Sequence, residues 1–157
     1  FHPDIFLSCS ADWTVKIWER NHSKPILSFD LNCAVADAAW APYSSTVFAI
    51  ITEDGRLRVY DLNIDRFAPI GKSRAKEWTN TNEKITLTRL AFNTNEPVLS
   101  IGDEKGIIHT VKLSANLRKL SSESIHTINP QDEIEKLNKV LVIDEHDKID
   151  LLNLKLT

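Results

Sequence analysis

Three stretches of the chain repeat one pattern. IFLSCSADWTVKIWE (residues 5–19), VFAIITEDGRLRVYD (47–61) and VLSIGDEKGIIHTVK (98–112) each run as an apolar segment, a short polar turn and an alternating segment. The offset is 42 residues from first to second and 51 from second to third. Val15 and Ile17 correspond to Leu57 and Val59, and to Ile108 and Thr110. Period-two alternation around an Asp- or Gly-containing turn predicts a hairpin. Further strand candidates flank each hairpin. AVADAAWAP (34–42) and TLTRLAFN (86–93) precede the second and third, while PILSFDL (25–31) and RFAPIG (66–71) follow the first and second. Four strands in a unit of about 42 residues is the period of a β-propeller blade. The fold class is therefore all-β: a partial propeller of about three four-stranded blades over residues 1–113, followed by a C-terminal tail over 114–157. Helical periodicity is almost absent before residue 113, which excludes an α/β nucleotide-binding fold there.

A propeller protects its sheet edges by joining its last blade to its first. About three blades cannot close, so exposed edges are expected at Phe1 and near residue 113, with marginal stability in isolation. The chain has no Met and opens on Phe1-His2-Pro3-Asp4, so it reads as a piece of a longer protein. Its 42% hydrophobic and 26% charged residues match a globular chain and rule out a wholly disordered or collagen-like one. No run of 18 apolar residues is present to span a bilayer. A net charge of −3 gives no overall attraction to nucleic acid or to anionic membranes. Cys9 and Cys33 lack a CxxC partner, and both are expected as buried, reduced thiols.

The string SADWTVKIWE resembles the WD-repeat family, in which a turn Asp and a strand Ser or Thr hydrogen-bond a Trp and a His to tie strands together. The resemblance assigns those parts to Asp12, Trp18 and either Ser8 or Ser10. The second unit keeps Thr52 and Asp54, with Tyr60 at the Trp position. The third has Lys105 and Val111 there, so its network is expected to be lost. No Gly-His pair precedes any strand. Burying these polar groups requires that they satisfy one another. LNCAVADAAWAPYSSTVFAIITEDG (31–55), with NLRKL after the third unit, narrows the resemblance to axonemal outer-arm dynein intermediate chains. WAPYSSTVFA is the most specific stretch. That resemblance implies a non-catalytic scaffold of the ciliary outer dynein arm, located in the axoneme, cytoplasm and cytoskeleton. Its implied partners are a dynein heavy chain and a second intermediate chain, with light chains binding outside these residues. Two other readings stay open: a cytoplasmic dynein intermediate chain that recruits cargo, and an adaptor of another complex such as a ubiquitin ligase.

Residues 121–157 hold eight acidic and four basic residues, a net of −4 against +1 for the rest. Asn129-Pro130 reads as N-cap and first helical residue, with Asp132, Glu133 and Glu135 in the first turns. Ile134, Leu137, Val140 and Leu141 share one helical face, which predicts a helix near 131–141. VLVIDEHDKIDLLNLKL reads either as a continuation or as a degenerate fourth hairpin around Glu145-His146-Asp147-Lys148. The acidic run 144–147 lacks calcium-loop spacing.

No phosphate loop, GxGxxG, GxSxG or HExxH motif is present. The histidines are scattered, and His109 is expected to fill a strand face. No enzyme activity, cofactor or metal is therefore expected, and function should lie on a surface. In a propeller the turns at Asp12-Trp13, Asp54-Gly55 and Glu104-Lys105 share a face with the loop GKSRAKEWTNTNEK (71–84). Trp13 occupies a turn where a small residue suffices, so it either packs on its neighbours or is offered to a partner. Trp13, Arg56, Lys72, Arg74, Lys76 and Trp78 form one candidate docking patch for an acidic protein surface. So few basic residues suit nucleic acid poorly.

Overall fold

The computed structural model describes residues 1–79, 83–96, 98–114 and 128–141. Three antiparallel sheets follow one another along the chain. The first holds β1 (Ile5–Cys9), β2 (Thr14–Glu19) and β3 (Leu27–Asp30), in that order. The second holds β4 (Val35–Trp40), β5 (Val47–Thr52), β6 (Arg56–Asp61) and β7 (Gly71–Arg74), also in order. The third holds β8 (Leu87–Phe92), β9 (Val98–Asp103) and β10 (Ile108–Lys112). The hairpins pair in the register that the repeat predicts: Trp18 faces Phe6, Tyr60 faces Phe48 and Val111 faces Leu99. β4 and β8 each carry a register shift at the same place, between Val35 and Asp37 and between Leu87 and Arg89. Such bulges add twist where strands converge. There the Asp37 carboxylate accepts from the Leu90 amide at 2.9 Å and links the two sheets.

The second sheet lies between the other two, which explains the unbroken apolar run of β5. Every residue of VFAIIT is buried. Phe48 and Ile50 meet Val15, Ile17 and Phe29 of the first sheet. Val47, Ala49 and Ile51 meet Leu90, Leu99 and Ile101 of the third. The outward faces lack this cover among the described residues. Ile108, which matches buried Val15 and Leu57, is 72% exposed, and Phe6, which matches buried Phe48, is 50% exposed.

Three expectations need correction. The fourth strand of the second unit is not RFAPIG (66–71) but Gly71–Arg74. Residues 62–70 are spent on turns: Asp61 O accepts from Ile64, and Asp65 Oδ1 accepts from the amides of Phe67 and Ala68. Pro69 has no amide to give a ladder, and pairing resumes where Ile70 N donates to Val59 O at 2.8 Å. In consequence 71–84 is not a loop throughout, because β7 runs into α1 (Ala75–Thr79). Finally, Cys9 and Cys33 are free but only half-buried.

A second helix, α2, covers residues 130–141. The Asn129 side chain accepts from the Gln131 amide at 3.1 Å, which starts the helix. Leu137, Val140 and Leu141 are buried in the cluster shared by the first and second sheets, while Ile134 is half-buried. Ile128, just before the helix, packs into the cluster between the second and third sheets. Residues 128–141 therefore strap across one end of the second sheet from seam to seam. The fourth-hairpin reading of VLVIDEHDKIDLLNLKL falls almost wholly on 142–157, outside the described residues.

Candidate functional site

The polar groups that the repeat pattern singles out are joined locally rather than in one network. Trp18 Nε1 donates to Ser8 Oγ at 2.8 Å and ties β2 to β1. Asp12 does not join this pair. Its carboxylate accepts from the Thr14 amide at 3.0 Å and from the Thr14 hydroxyl at 2.7 Å, and its amide donates to Ser10 Oγ. Those Thr14 bonds hold the Asp12 carboxyl below the ordinary carboxylate range. In the second sheet the Thr52 hydroxyl donates to Asp54, and Arg56 Nε pairs with Asp54 at 2.8 Å. Tyr60 replaces the indole with a ring stacked on Phe48, centroids 5.0 Å apart.

The third unit, with Lys105 and Val111 at the turn-Asp and Trp positions, is tied by a different pair. His109 Nε2 lies 2.8 Å from Asp103 Oδ2, across the β9–β10 turn. Asp103 Oδ1 also accepts from the amides of Lys105 and Ile107. The His109 bond, and then these amides, hold the Asp103 carboxyl low despite its burial. His109 thus locks a turn as well as filling a face. Among the described residues no buried side-chain polar atom lacks a partner.

The predicted docking patch is divided. Arg56, Lys72 and Arg74 line one cleft of about 460 Å³ between the first and second sheets. Arg58 and Phe67 join them there, and sequence reasoning missed both. The first-sheet wall is the turn Asp30–Asn32, fixed by Asp30 Oδ1 accepting from the Asn32 amide. Trp13 stands behind that wall: its carbonyl accepts from the Leu31 amide, its side chain is 53% exposed, and its φ is +75°. Lys76 lines a second, smaller depression on the third-sheet side, which it shares with Arg56 and Arg74 as well as Glu83 and Lys84. Trp78 is half-buried. It packs against the aliphatic cluster, and its Nε1 donates to Ser73 Oγ at 2.6 Å. Ser73 in turn donates to Glu77, which also accepts from the Arg74 amide.

At the opposite end of the second sheet, the strap seats on the turn of WAPYSSTVFA. Glu133 Oε2 accepts from the Ser45 amide at 2.7 Å, and the Glu133 carbonyl accepts from the Ser45 hydroxyl at 2.7 Å. Lys136 Nζ donates to Ser44 Oγ at 2.9 Å and pairs with Glu133. Burial pushes the Glu133 carboxyl up, but the Ser45 bonds and the Lys136 charge together outweigh it and leave the carboxyl low. Beneath this seat the Thr46 hydroxyl donates to buried Asp61 at 2.8 Å. Burial, and then Asp61, push the Tyr43 hydroxyl up to about 12. Among the described residues no set of three or more metal-ligating side chains converges, and no helix is long and apolar enough to cross a membrane.

Successive antiparallel sheets joined outer strand to inner strand, with a Trp–Ser tie and Asp-locked turns, define a segment of a WD-repeat propeller. The WD40 domain of Toxoplasma gondii coronin has the same fold, with a TM-score of 0.58 over 71% of this chain and 28% of that one, at 16% identity. No family model matches the chain. Its sequence is 44% identical over 147 residues to the ciliary dynein intermediate chain 2 of Heliocidaris crassispina, covering 91% of this chain and 20% of the relative. It is 34% identical over 152 residues to the 78 kDa intermediate chain of the flagellar outer-arm dynein of Chlamydomonas reinhardtii, covering 96% and 21%. It is 42% identical over 144 residues to dynein axonemal intermediate chain 1 of Bos taurus, covering 90% and 20%. The chain belongs to the axonemal dynein intermediate chains. It spans about a fifth of the length of these relatives.

Proposed function

We propose that the chain is a non-catalytic scaffold segment of the outer dynein arm in a motile cilium. In this reading it helps hold a dynein heavy chain beside a second intermediate chain, and so supports arm assembly and ciliary beating. The observation that carries the proposal is the sequence match over nine-tenths of the chain to relatives named as ciliary, flagellar outer-arm and axonemal dynein chains. The geometry suits a scaffold. Two packed seams and a strap fix the sheets against one another, while the charged cleft and the exposed Trp13 remain available at the surface.

The test is capture of the heavy chain by the tagged full-length protein, together with its position in the cell. Decoration of axonemes and co-precipitation of an outer-arm heavy chain are expected. Lys72→Glu with Arg74→Glu should weaken that capture; unchanged capture by the folded variant counts against docking through this face. Trp78→Ala is unsuited to the test, because it opens the core. Decoration of vesicles or spindles would overturn the axonemal reading.

A further inference from the structure

We propose that the cleft between the first and second sheets binds an extended acidic segment of a partner protein, with carboxylates two residues apart. This names the chemistry of the segment that the docking face accepts, and it rests on the docking reading above. The argument begins with the pairing of β6 and β7, which sets Arg56 opposite Arg74 and Arg58 opposite Lys72. Like charges directly opposite one another destabilise an antiparallel pair. Here two such rungs follow in succession on one face of the sheet, and all four side chains line the cleft.

Of the acids in and beside the cleft, Asp30 is turned to the Asn32 amide, and the other two lie at the outer rung. Asp54 pairs with Arg56, and Glu77 hydrogen-bonds the Arg74 amide. The inner rung lacks such relief. The Arg58 guanidinium reaches the Leu31 carbonyl through two long contacts of 3.4 Å, and Lys72 is exposed with no carboxylate at ion-pair distance among the described residues. Alternate residues of a strand are about 6.6 Å apart. An extended segment has the same repeat, so carboxylates at positions i and i+2 meet both rungs together. A compact phosphate group meets one rung only. Phe67, 68% exposed at the mouth of the cleft, offers a ring to an apolar residue beside the acids.

The experiment is fluorescence anisotropy of the full-length protein with a labelled ten-residue peptide carrying Glu at alternate positions. The control is the same peptide with every Glu changed to Gln. Binding of the Glu peptide alone is expected, weakening as salt rises. Lys72→Glu with Arg74→Glu, checked by an unchanged thermal melt, should weaken it at least tenfold, while Lys112→Glu on β10 of the third sheet should leave it unchanged. Equal binding of the two peptides, or no effect of the double reversal, would overturn the assignment. So would inorganic tripolyphosphate that binds while the Glu peptide does not. Loss of heavy-chain capture by the wild-type protein with peptide binding intact would sink the docking reading and leave this one standing.

Discussion

The second sheet meets its two neighbours in different ways, although one repeat pattern makes all three. Against the third sheet, β6 turns Leu57 and Val59 into an aliphatic seam with Leu87, Leu90, Leu99 and Ile101. The backbones approach so closely there that a Cβ on Gly55 would stand 2.8 Å from the Ile85 carbonyl oxygen. Against the first sheet, the same strand turns Arg56, Arg58 and Tyr60. Only Tyr60 is fully buried, in an aromatic group with Phe29 and Phe48. One end of this seam is filled by α2 and the other is the basic cleft. The two parities of one strand thus decide which seam is closed and which leaves a basic cleft open.

Four substitutions separate the packed parts of this contrast from the open ones. The largest effect is expected at the aromatic seam. Phe48 is fully buried and contacts the rings of Phe29, Trp40 and Tyr60. Phe48→Ala should cost about 3–5 kcal/mol in a denaturant titration. A loss below about 1 kcal/mol would mean that the first sheet is only loosely attached. Gly55→Ala comes next, because it combines a φ of +78° with the approach of Ile85. About 1–3 kcal/mol is expected, and an unchanged melting curve would break the claim that the aliphatic seam is the closed one.

Glu133→Gln tests the strap. Removing the charged acceptor from the Ser45 amide should cost about 1–2 kcal/mol. The carboxyl is lowered in the folded chain, so its contribution is complete above the ordinary Glu value of 4.5 and is lost as pH falls through the lowered folded value. Protection of the Ser45 amide, relative to its intrinsic exchange rate, should therefore fall in acid, and it should already be reduced at neutral pH in the variant. Equal protection in both proteins across that range would remove Glu133 from the seat. The smallest effect belongs to Trp13→Gly. The position has positive φ and an exposed side chain, so stability should change by no more than about 1 kcal/mol, with a small gain favoured. A large loss would show that Trp13 packs as part of the fold rather than standing free.

The strands that alternate apolar residues were legible in sequence, because one buried face leaves a period of two. β5 was legible for the opposite reason, as a run buried on both sides. β7 was not: GKSR carries no apolar residue, and an outer strand with partly exposed side chains leaves no hydrophobic trace. The misplaced strand put Trp78 in a loop and hid the rung structure of the cleft. Arg58 alternates with apolar neighbours and carries no signal of its own; the basic residues at 56, 58, 72 and 74 become one once β6 and β7 are paired. Asp103 and His109 are six residues apart and meet only because the turn brings them across the hairpin. The cap at Asn129-Pro130 announced α2, but its seat on Ser45 lies 88 residues away from Glu133 and has no local signature.

The central claim is that the cationic seam receives the partner while the aliphatic seam only holds the fold. Hydrogen exchange of the full-length protein, free and in complex with the dynein heavy chain, tests it most directly. Protection on binding is expected at residues 30–32 and 71–74, with the amides of 85–90 unchanged. Protection confined to 85–90, with the cleft exchanging as freely as before, would contradict it.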